Sequence, residues 1–428
     1  MTVRIVGAGL AGTEAANCLA GFGYDVELFE MKPERRSPAH TADGFAELVC
    51  SNSFKAERAA SASGLLKNEM RVLRSLALDV ADECRINAGG ALAVDRRRFS
   101  EGVTRRILSN PKITVFCREV GSVDMSVPTV IATGPLTDGA LADWLSETAE
   151  GLLSFYDAAA PIVSAESIDM DTVFAADRYS QAETGDYLNC YFDKPGYEAF
   201  YSELVLAQTA ELRDFDYVLY EGCMPIERLA ARGADTPRFG PMKPVGLRDP
   251  RTGRRPWAAV QLRREDEQGS LYNLVGFQTN LKFPEQRRVF RMIPGLERAE
   301  FVRYGVMHRN SFLDSPKALD VTLNLKNSPN TYVAGQLTGF EGYMESALSG
   351  ILAARFMHER LEGGKPRIPT EFTMCGALLR YITRPNEDFQ PMGANMGLLP
   401  PLEEAVRDKR ERYAALAQRA LEDMEKMR

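Results

Sequence analysis

The first thirty residues contain a glycine-rich turn between two apolar strands, and this feature constrains the fold more than any other. The segment VRIVGAGLAGTEAANCL begins as a buried strand, turns at GAGLAG and continues with a helical pattern. A second apolar segment, YDVELFE, follows and ends at Glu30. Because GxGxxG stands between a strand and a helix, the pattern predicts a Rossmann-like unit that binds a dinucleotide.

Each glycine of this turn has its own task in dinucleotide binding. Gly7 permits the tight turn, Gly9 lets the backbone approach a pyrophosphate, and Gly12 allows the helix to pack on the strand. Glu30 stands where a carboxylate accepts hydrogen bonds from ribose hydroxyls, which favours FAD or NAD over NADP. The predicted cofactor contacts in this region are Gly7, Ala8, Gly9, Leu10, Ala11, Gly12 and Glu30.

Two later segments favour a flavin over a nicotinamide cofactor. Residues 128–134, PTVIATG, predict a buried strand ending at Gly134, a pattern typical of two-part flavin folds. Residues 331–354 predict a strand, a glycine turn and a helix. No second GxGxxG occurs, which argues against a separate nicotinamide module. The cofactor contacts predicted at the late turn are Gly335, Gly342 and Tyr343, the last either covering the flavin ring or packing at the helix start.

These segments predict an α/β fold with a two-part, Rossmann-like FAD-binding domain that is interrupted by an inserted α+β domain. We expect residues 1–150 to form the first part, 151–324 the insertion, and 325–428 the second part with a C-terminal helix. Aromatic residues are concentrated in 155–220, which indicates a β-rich core for the insertion. An apolar stripe predicts one amphipathic helix over 64–85.

Charge is distributed unevenly along the chain, and this affects the choice of partner. The chain has 52 basic and 59 acidic residues, a net charge of −7, which alone argues against binding a nucleic acid. Residues 238–303 nevertheless hold 14 Lys and Arg against 7 Asp and Glu, a local charge of +7. In the densest stretch, 237–264, Pro, Gly and Trp257 alternate with arginines. Such a stretch fits an ordered basic surface for RNA and, equally, a solvated loop.

The spacing of the seven cysteines argues against disulfides and against metal binding. No pair has CxxC spacing and only three histidines are present, so we expect no metal site. No signal-peptide pattern or membrane span is expected, which favours the cytoplasm. Cys50 and Cys223 stand in polar turns, ELVCSNSFK and YEGCMPIE, that expose side chains. From the sequence alone a packing role is still favoured for both, because no His is adjacent.

Nine motifs together resemble those of the folate- and flavin-dependent tRNA (uracil-5-)-methyltransferases, the TrmFO family. In chain order they are GAGLAGTEAA, ELVCSNS, GLLKNEMR, GGALAVDR, YEGCMPIE, GPMKPVGL, VGFQTNLK, MHRNSFL and AGQLTGFEGYMESALSG. They span residues 7–350, and ELVCSNS and EGCMPIE are far more specific than the glycine turn. The last motif is also similar to GidA, a relative that modifies wobble uridines and has a longer chain.

The resemblance implies a reaction, its cofactors and its reactive residues. The reaction is C5-methylation of a uridine in the tRNA T-loop, at position 54, with 5,10-methylenetetrahydrofolate as donor, FAD as cofactor and NADPH or NADH as reductant. A thiolate adds to carbon 6 of the uracil and thereby makes carbon 5 nucleophilic. Cys223 is the implied nucleophile and Cys50 the second active-site thiol, a candidate general base; the reverse assignment is open.

Further residues are candidates for binding the substrates. His308 and Arg309 are expected to meet the folate or the uracil, although a surface loop explains the same pattern. Lys282 and Arg287 are expected at the folate glutamate tail or at RNA phosphates, and Arg254 and Arg255 at the RNA backbone.

Three functions stay open at this point. They are the tRNA methyltransferase, the same chemistry on ribosomal RNA, and a flavin oxidoreductase that acts on a small molecule. The implied partner is tRNA, whose T-loop uridine must be flipped out to react. Neither a membrane nor DNA is expected as a partner, and the sequence does not indicate an oligomeric state.

Overall fold

The computed structural model describes most of the chain. The described ranges are 1–37, 39–149, 151–178, 185–210, 224–387 and 389–427, with the backbone alone at 152, 154–157, 308 and 309. None of the helices within these ranges is both long and apolar enough to cross a membrane.

Strands and helices alternate over much of the chain. The strands are β1 (Thr2–Val6), β2 (Asp25–Glu30), β3 (Ser53–Ala56), β4 (Arg85–Ile86), β5 (Ala91–Val94), β6 (Ile113–Cys117), β7 (Thr129–Ile131), β8 (Leu152–Ala158), β9 (Ile162–Ser164), β10 (Phe174–Ala175), β11 (Leu188–Phe192), β12 (Ala258–Arg264), β13 (Leu271–Leu274), β14 (Phe301–Arg303), β15 (Met307–Leu313) and β16 (Thr331–Val333). The α-helices are α1 (Leu10–Gly21), α2 (Ala62–Val72), α3 (Leu76–Glu83), α4 (Arg96–Leu108), α5 (Gly139–Thr148), α6 (Lys194–Leu206), α7 (Ile226–Ala231), α8 (Thr236–Phe239), α9 (Phe283–Phe290), α10 (Ser315–Ala318), α11 (Tyr343–Leu361), α12 (Met374–Thr383) and α13 (Lys409–Met424).

A parallel sheet forms the centre of the fold and takes strands from early and late parts of the chain. Its order is β16-β7-β1-β2-β6, and Ile5 of β1 pairs with Leu28 on one side and Val130 on the other. The strand order reverses between β1 and β7, so a crevice opens there at the carboxyl ends of the strands. The glycine turn follows β1 directly and therefore lies at this crevice.

Helix α11 is fixed on α1 by glycine contacts. A Cβ atom at Gly350 would lie 2.0 Å from the Ala11 carbonyl oxygen, and one at Gly12 would lie 1.8 Å from the Gly7 carbonyl oxygen. Both distances are far inside van der Waals contact, so these positions admit glycine only. The late helix and the early strand–turn–helix unit thus pack backbone to backbone and form one body.

The residues between the two parts form an antiparallel sheet with its own core. Its order is β10-β11-β12-β13-β9-β14, and its apolar cluster contains Phe200, Phe277 and Phe290. The antiparallel pair β8–β15 lies at the junction with the parallel-sheet part. The predicted fold class, an interrupted Rossmann-like α/β fold, is confirmed by this arrangement. The domain boundaries at residues 150 and 324 stay a prediction.

The prediction of one helix over 64–85 is wrong, because α2 and α3 are separate helices. Arg74 has a φ of 61°, which ends the first helix, and the Ser75 side chain caps the second. The buried Glu14 carboxylate accepts the N–H groups of the first two residues of α3, both at 3.0 Å. A tertiary contact thus supplies the acceptors that a new helix start needs.

A second buried carboxylate, Glu69 of α2, caps helix α12 in the same way. It accepts the N–H groups of Met374 and Cys375, both at 2.7 Å. Burial, partly offset by hydrogen bonds, raises the pKa of Glu14 and of Glu69 from 4.5 to about 7. Between these values the folded state binds more protons than the unfolded state, so the free energy of unfolding falls as pH rises from 4.5 to 7.

Replacing Glu69 by glutamine is expected to reduce this pH dependence. A carboxyl whose pKa rises from 4.5 to about 7 on folding changes the free energy of unfolding by about 3 kcal/mol between low and high pH. Glu69→Gln removes the contribution of Glu69 to this change. Urea unfolding at pH 5 and pH 8 measures the difference in both proteins. The exposed Glu422→Gln on α13 is the matched control and should behave as the unmodified protein does. An equal pH dependence in Glu69→Gln and the control would contradict the assignment.

Candidate functional site

A cleft opens at the carboxyl ends of the parallel strands, where the strand order reverses. Residues at or just after the ends of β1, β2, β7 and β16 line it, which is where sheets of this kind bind their ligands. Gly12 and Gly342, which are also predicted cofactor contacts, are not among the residues that line it. The predicted cofactor residues that line it are Gly7, Ala8, Gly9, Leu10, Ala11, Glu30, Gly134, Gly335 and Tyr343.

The glycine turn forms an open cradle on the floor of the cleft. Gly7 has a φ of 99°, and a Cβ there would lie 2.5 Å from the Ala132 carbonyl oxygen. At Gly9, by contrast, no described atom outside the adjoining backbone lies within 4 Å of the Cβ position. No side chain caps the start of α1 among the described residues, so its N–H groups face this space. Such a helix start suits a pyrophosphate.

Glu30 holds the glycine turn and borders the cleft. Its buried carboxylate accepts the Ala8 N–H at 2.9 Å and the Lys32 N–H at 3.1 Å. A carboxylate offers about four acceptor positions, so capacity is left for ribose hydroxyls.

Several residues that the sequence patterns do not predict also line the cleft, among them Lys32, His40 and Gln336. Burial and the neighbouring Lys32 ammonium lower the pKa of His40. Topology is what could have indicated these residues, because loops that follow parallel strands all begin at the same edge of the sheet. Their identities alone carry no such signal.

Cys50 lies next to the cleft, in a loop that Tyr343 holds in place. The Tyr343 hydroxyl accepts the N–H of Cys50 at 2.7 Å and that of Ser51 at 3.0 Å, and the preceding Val49 lines the cleft. The half-buried Cys50 sulfur lies 3.9 Å from the Ala158 carbonyl oxygen. Burial and the Cys50 thiol raise the pKa of Tyr343 well above its ordinary value, so its hydroxyl stays neutral.

Three arginines surround the Cys50 loop, one from α4 and two from the antiparallel-sheet part. Each interacts electrostatically with Cys50. Cationic neighbours favour the thiolate form of a cysteine, which is the nucleophilic and basic form. Their loop contacts are Arg96 to the Leu48 carbonyl (2.7 Å), Arg263 to the Ser51 hydroxyl (2.8 Å) and the Asn52 amide oxygen (2.8 Å), and Arg303 to the Val49 carbonyl.

An ion pair between the half-buried Arg96 and the buried Glu265 joins the two parts of the molecule beside this loop. Arg96 contacts both carboxylate oxygens of Glu265, at 2.5 and 3.3 Å. Burial lowers the pKa of Arg96, and the charge and hydrogen bonds of the Glu265 carboxylate more than restore it. Burial also lowers the pKa of Arg263 and Arg303, which stay charged because a free guanidinium has a pKa above 12.

The other predicted catalytic residue, Cys223, lies outside the described residues. Met224, which follows it in sequence, is buried, and the Ile226 N–H donates to the Gln278 carbonyl at 2.8 Å. The segment MHRNSFL forms strand β15 rather than a surface loop. The backbones of His308 and Arg309 pair with residues 157 and 156 of β8, which are one and two residues from Ala158, the residue whose carbonyl contacts Cys50. Their side chains lie outside the described part of the structure.

The predicted RNA-binding residues lie on the antiparallel-sheet part, but the basic stretch 237–264 is not one surface. Arg263 is buried at the Cys50 loop, and Arg238 stacks over Trp257 at 3.8 Å. The exposed basic residues of the stretch and its neighbourhood include Arg248, Arg251, Arg254, Arg255, Arg264 and Lys282. A polyanion thus has a smaller set of cations to contact than the sequence suggests.

Comparison with known proteins identifies the family. A family model described as glucose inhibited division protein A matches residues 2–365. Three relatives named methylenetetrahydrofolate–tRNA-(uracil-5-)-methyltransferase TrmFO align over nearly their whole length. The protein of Heliobacterium modesticaldum is 53% identical over 100% of this chain and 98% of its own. That of Moorella thermoacetica is 54% identical (98% and 97%), and that of Geobacter sulfurreducens 53% (99% and 98%). The chain belongs to the TrmFO family.

The shared motifs of the TrmFO family therefore indicate true membership, as the sequence predicts. A solved structure of GidA from Aquifex aeolicus superposes with a TM-score of 0.70 at 16% identity, covering 100% of this chain and 72% of the GidA chain. At this identity the likeness concerns the fold alone. It places the TrmFO chain on the same interrupted α/β architecture as its longer relative.

Tyr343 offers a test of the Cys50 loop in this member of the TrmFO family. Tyr343→Phe leaves the half-buried N–H groups of Cys50 and Ser51 without their acceptor, at a cost of up to about 1–3 kcal/mol for each group. We expect methyl transfer to fall about 10- to 100-fold and Tm to drop. The control is Tyr24→Phe, which also loses a hydroxyl contact, to His358, but lies far from the loop. Equal rates in the two variants would contradict the positioning role.

Proposed function

We propose that the protein transfers a one-carbon unit from 5,10-methylenetetrahydrofolate to carbon 5 of a tRNA uracil and reduces it to a methyl group. The proposed target is the T-loop uridine at position 54, the cofactor FAD, the reductant NADPH or NADH, and the compartment the cytoplasm. The observation that carries the proposal is Cys50, held among three arginines beside a dinucleotide cleft, in a chain 53% identical to enzymes of that name.

The residues of the cleft fit FAD. The open space at Gly9 and the uncapped start of α1 suit the pyrophosphate, and Glu30 suits the ribose. Gly335 and Tyr343 line the cleft as well and are the proposed contacts of the flavin ring. Reduced FAD, when bound, supplies the hydride that completes the methyl group. The protein's own part is to bind the cofactor and to keep Val49 and Cys50 at the edge of its cleft.

The two thiols are proposed to activate the uracil and to move its proton. Carbon 5 becomes nucleophilic once a thiolate has added to carbon 6, and we assign this addition to Cys223. After carbon 5 has bonded to the methylene group, its proton must leave, and we assign its removal to the Cys50 thiolate. Loss of this proton expels the amine that carried the methylene group, and hydride addition to the resulting exocyclic methylene forms the methyl group and returns the electron pair that breaks the carbon 6–sulfur bond. Arg96, Arg263 and Arg303 stabilise the Cys50 thiolate. The carbon 6–sulfur bond then breaks and releases Cys223.

The antiparallel-sheet part is proposed to hold the RNA. A T-loop uridine reaches a thiol only after it has flipped out, at a cost of a few kcal/mol. Contacts to the RNA backbone from Arg254, Arg255 and Lys282 offset this cost, and His308 and Arg309 are the proposed contacts of the folate or the uracil.

A direct assay tests the proposed function. The purified protein is incubated with methylenetetrahydrofolate, NADPH and an unmodified tRNA transcript, and 5-methyluridine is measured by nucleoside mass spectrometry. We expect product with this transcript and none when its T-loop uridine is replaced by cytidine. A yellow flavin absorption spectrum is expected from the protein itself. Product on a ribosomal RNA fragment alone, or NADPH oxidation without any RNA product, would overturn the proposal.

A charge-removal variant tests the RNA surface. Replacing Arg251, Arg254, Arg255 and Arg264 by alanine is expected to weaken tRNA binding and to reduce the slope of log Kd against log salt by up to about 3, or about 0.7–0.9 per lost phosphate contact. The control variant carries four alanines at exposed basic residues outside the antiparallel sheet: Arg97, Lys365, Arg410 and Lys426. A slope that is equal in both variants would mean that RNA does not bind this stretch.

A further inference from the structure

Three aromatic rings form a near-parallel column on the antiparallel-sheet part. Phe283 and Tyr304 stack with centroids 4.6 Å apart and planes 14° apart, and Tyr304 and Phe301 with centroids 5.3 Å and planes 12° apart. Phe301 packs against the apolar core of the sheet, whereas Phe283 is 50% exposed. Because Tyr304 covers one face of the Phe283 ring, the opposite face is the one that meets water.

Two cations flank this column. Lys282 donates to the Gln208 side-chain oxygen at 3.2 Å, and Arg287 donates twice to the Tyr304 hydroxyl, at 3.1 and 2.7 Å. Both acceptors are neutral, and among the described residues no carboxylate lies within ion-pairing distance of either cation. An exposed ring face with two cations beside it, neither of them in an ion pair with a described residue, matches a ligand that is planar and anionic.

The column lies close to the Cys50 loop. Arg303, directly before Tyr304, donates to the carbonyl of Val49, the residue before Cys50. Gly305, directly after Tyr304, accepts and donates hydrogen bonds at 2.7 and 2.8 Å with Gln286 of α9, the helix that begins with Phe283. The column and the loop are therefore linked through a single short stretch of backbone.

The backbone that leads into the column contacts the described residues on either side of the segment that contains Cys223. The Ala210 N–H donates to the Asn280 carbonyl, and the Ile226 N–H to the Gln278 carbonyl, both at 2.8 Å. Residues 278–282 thus anchor both flanks and lead directly into Phe283. A ligand stacked on Phe283 lies next to the backbone that holds Ala210 and Ile226 and close to the Cys50 loop.

We propose that the exposed face of Phe283 stacks on a base of the bound tRNA that neighbours the target uracil, with Lys282 and Arg287 at the adjoining phosphates. This inference rests on the proposed function. Flipping a uracil out of its loop leaves the neighbouring bases with unstacked faces. An aromatic platform restores stacking to one of them, and single-stranded RNA is recognised chiefly through such contacts. Phe283 thereby offsets part of the cost of exposing the uracil.

The test compares three variants in the full chain. Phe283→Ala removes the platform, Phe283→Trp keeps it, and Phe372→Ala removes another exposed ring, 39% exposed, that stacks with Arg419 away from the column. The affinity for an unmodified tRNA transcript is measured by fluorescence anisotropy. A second transcript carries 2-aminopurine next to the target uracil, whose fluorescence falls when the base stacks on a ring.

We expect Phe283→Ala to raise the Kd and the KM for tRNA about 5- to 100-fold and to lose the fluorescence quenching, as expected for one lost stacking contact. Phe283→Trp and Phe372→Ala should bind tRNA as the unmodified protein does. The KM for methylenetetrahydrofolate should be unchanged in all variants.

Two results would overturn the platform alone. The first is that Phe283→Ala binds tRNA and quenches the fluorescence as the unmodified protein does, while the unmodified protein methylates tRNA. The second is a change confined to the KM for methylenetetrahydrofolate, which would assign the ring to the folate. Failure of the unmodified protein to bind tRNA at all would overturn the proposed function and the platform with it.

Discussion

Replacing Cys50 by alanine is expected to reduce methyl transfer about 10²- to 10⁴-fold, the range for loss of a general base. The loop should keep its position, because Tyr343 binds the backbone N–H of residue 50 and the arginines bind neighbouring residues. The Tm and the flavin absorption spectrum should therefore stay near those of the unmodified protein. The initial rate of 5-methyluridine formation measures the effect.

Two comparisons make this result specific to Cys50. Cys117→Ala removes an exposed thiol at the end of β6 and should leave the rate unchanged. A tRNA that carries 5-fluorouracil retains fluorine where the carbon-5 proton would leave and so traps the thiol adduct. We expect Cys50→Ala to form this adduct and Cys223→Ala to lose it. The opposite pattern would exchange the two roles, and a near-normal rate in Cys50→Ala would remove it from the chemistry.

The second large effect is expected at the glycine turn, where neighbouring glycines have different tasks. Gly12→Ala places a Cβ 1.8 Å from the Gly7 carbonyl oxygen, a backbone atom that cannot move aside. We expect a loss of about 3 kcal/mol or more in the free energy of unfolding, together with loss of the flavin. Gly9→Ala meets open space, so the protein should fold normally and bind FAD about 10- to 100-fold more weakly, because the methyl group enters the phosphate cradle.

A third glycine on the same helix is the control. Gly21 also has open space around its Cβ position but lies at the far end of α1, so Gly21→Ala should leave FAD affinity unchanged and Tm equal or slightly higher. Urea unfolding and flavin fluorescence titration measure both properties in the three variants. Unchanged stability in Gly12→Ala, or full FAD affinity in Gly9→Ala, would contradict the geometry of the turn.

Local pattern predicts the early part of the fold well and fails where a distant side chain intervenes. The first strand, the helix after the glycine turn and the second strand form as expected, because apolar spacing and a glycine turn are signals within one segment. The expected single helix over 64–85 divides, because Glu14, from another helix, provides acceptors for a new helix start. No pattern within 64–85 contains that information.

The candidate site shows the same division. The sequence alone determined the dinucleotide turn, the cleft residues next to it and the polar loop at Cys50, because each is marked by a short run of neighbouring residues. The role of Cys223 stays a prediction. Only the tertiary structure placed Arg96, Arg263 and Arg303 around Cys50, and put Arg263 inside rather than on a basic surface. Arg303 stands 254 residues from the carbonyl that it binds. Such contacts depend on the strand order and on how the antiparallel sheet packs against the parallel-sheet part. Neither can be predicted from the spacing of residues along the chain.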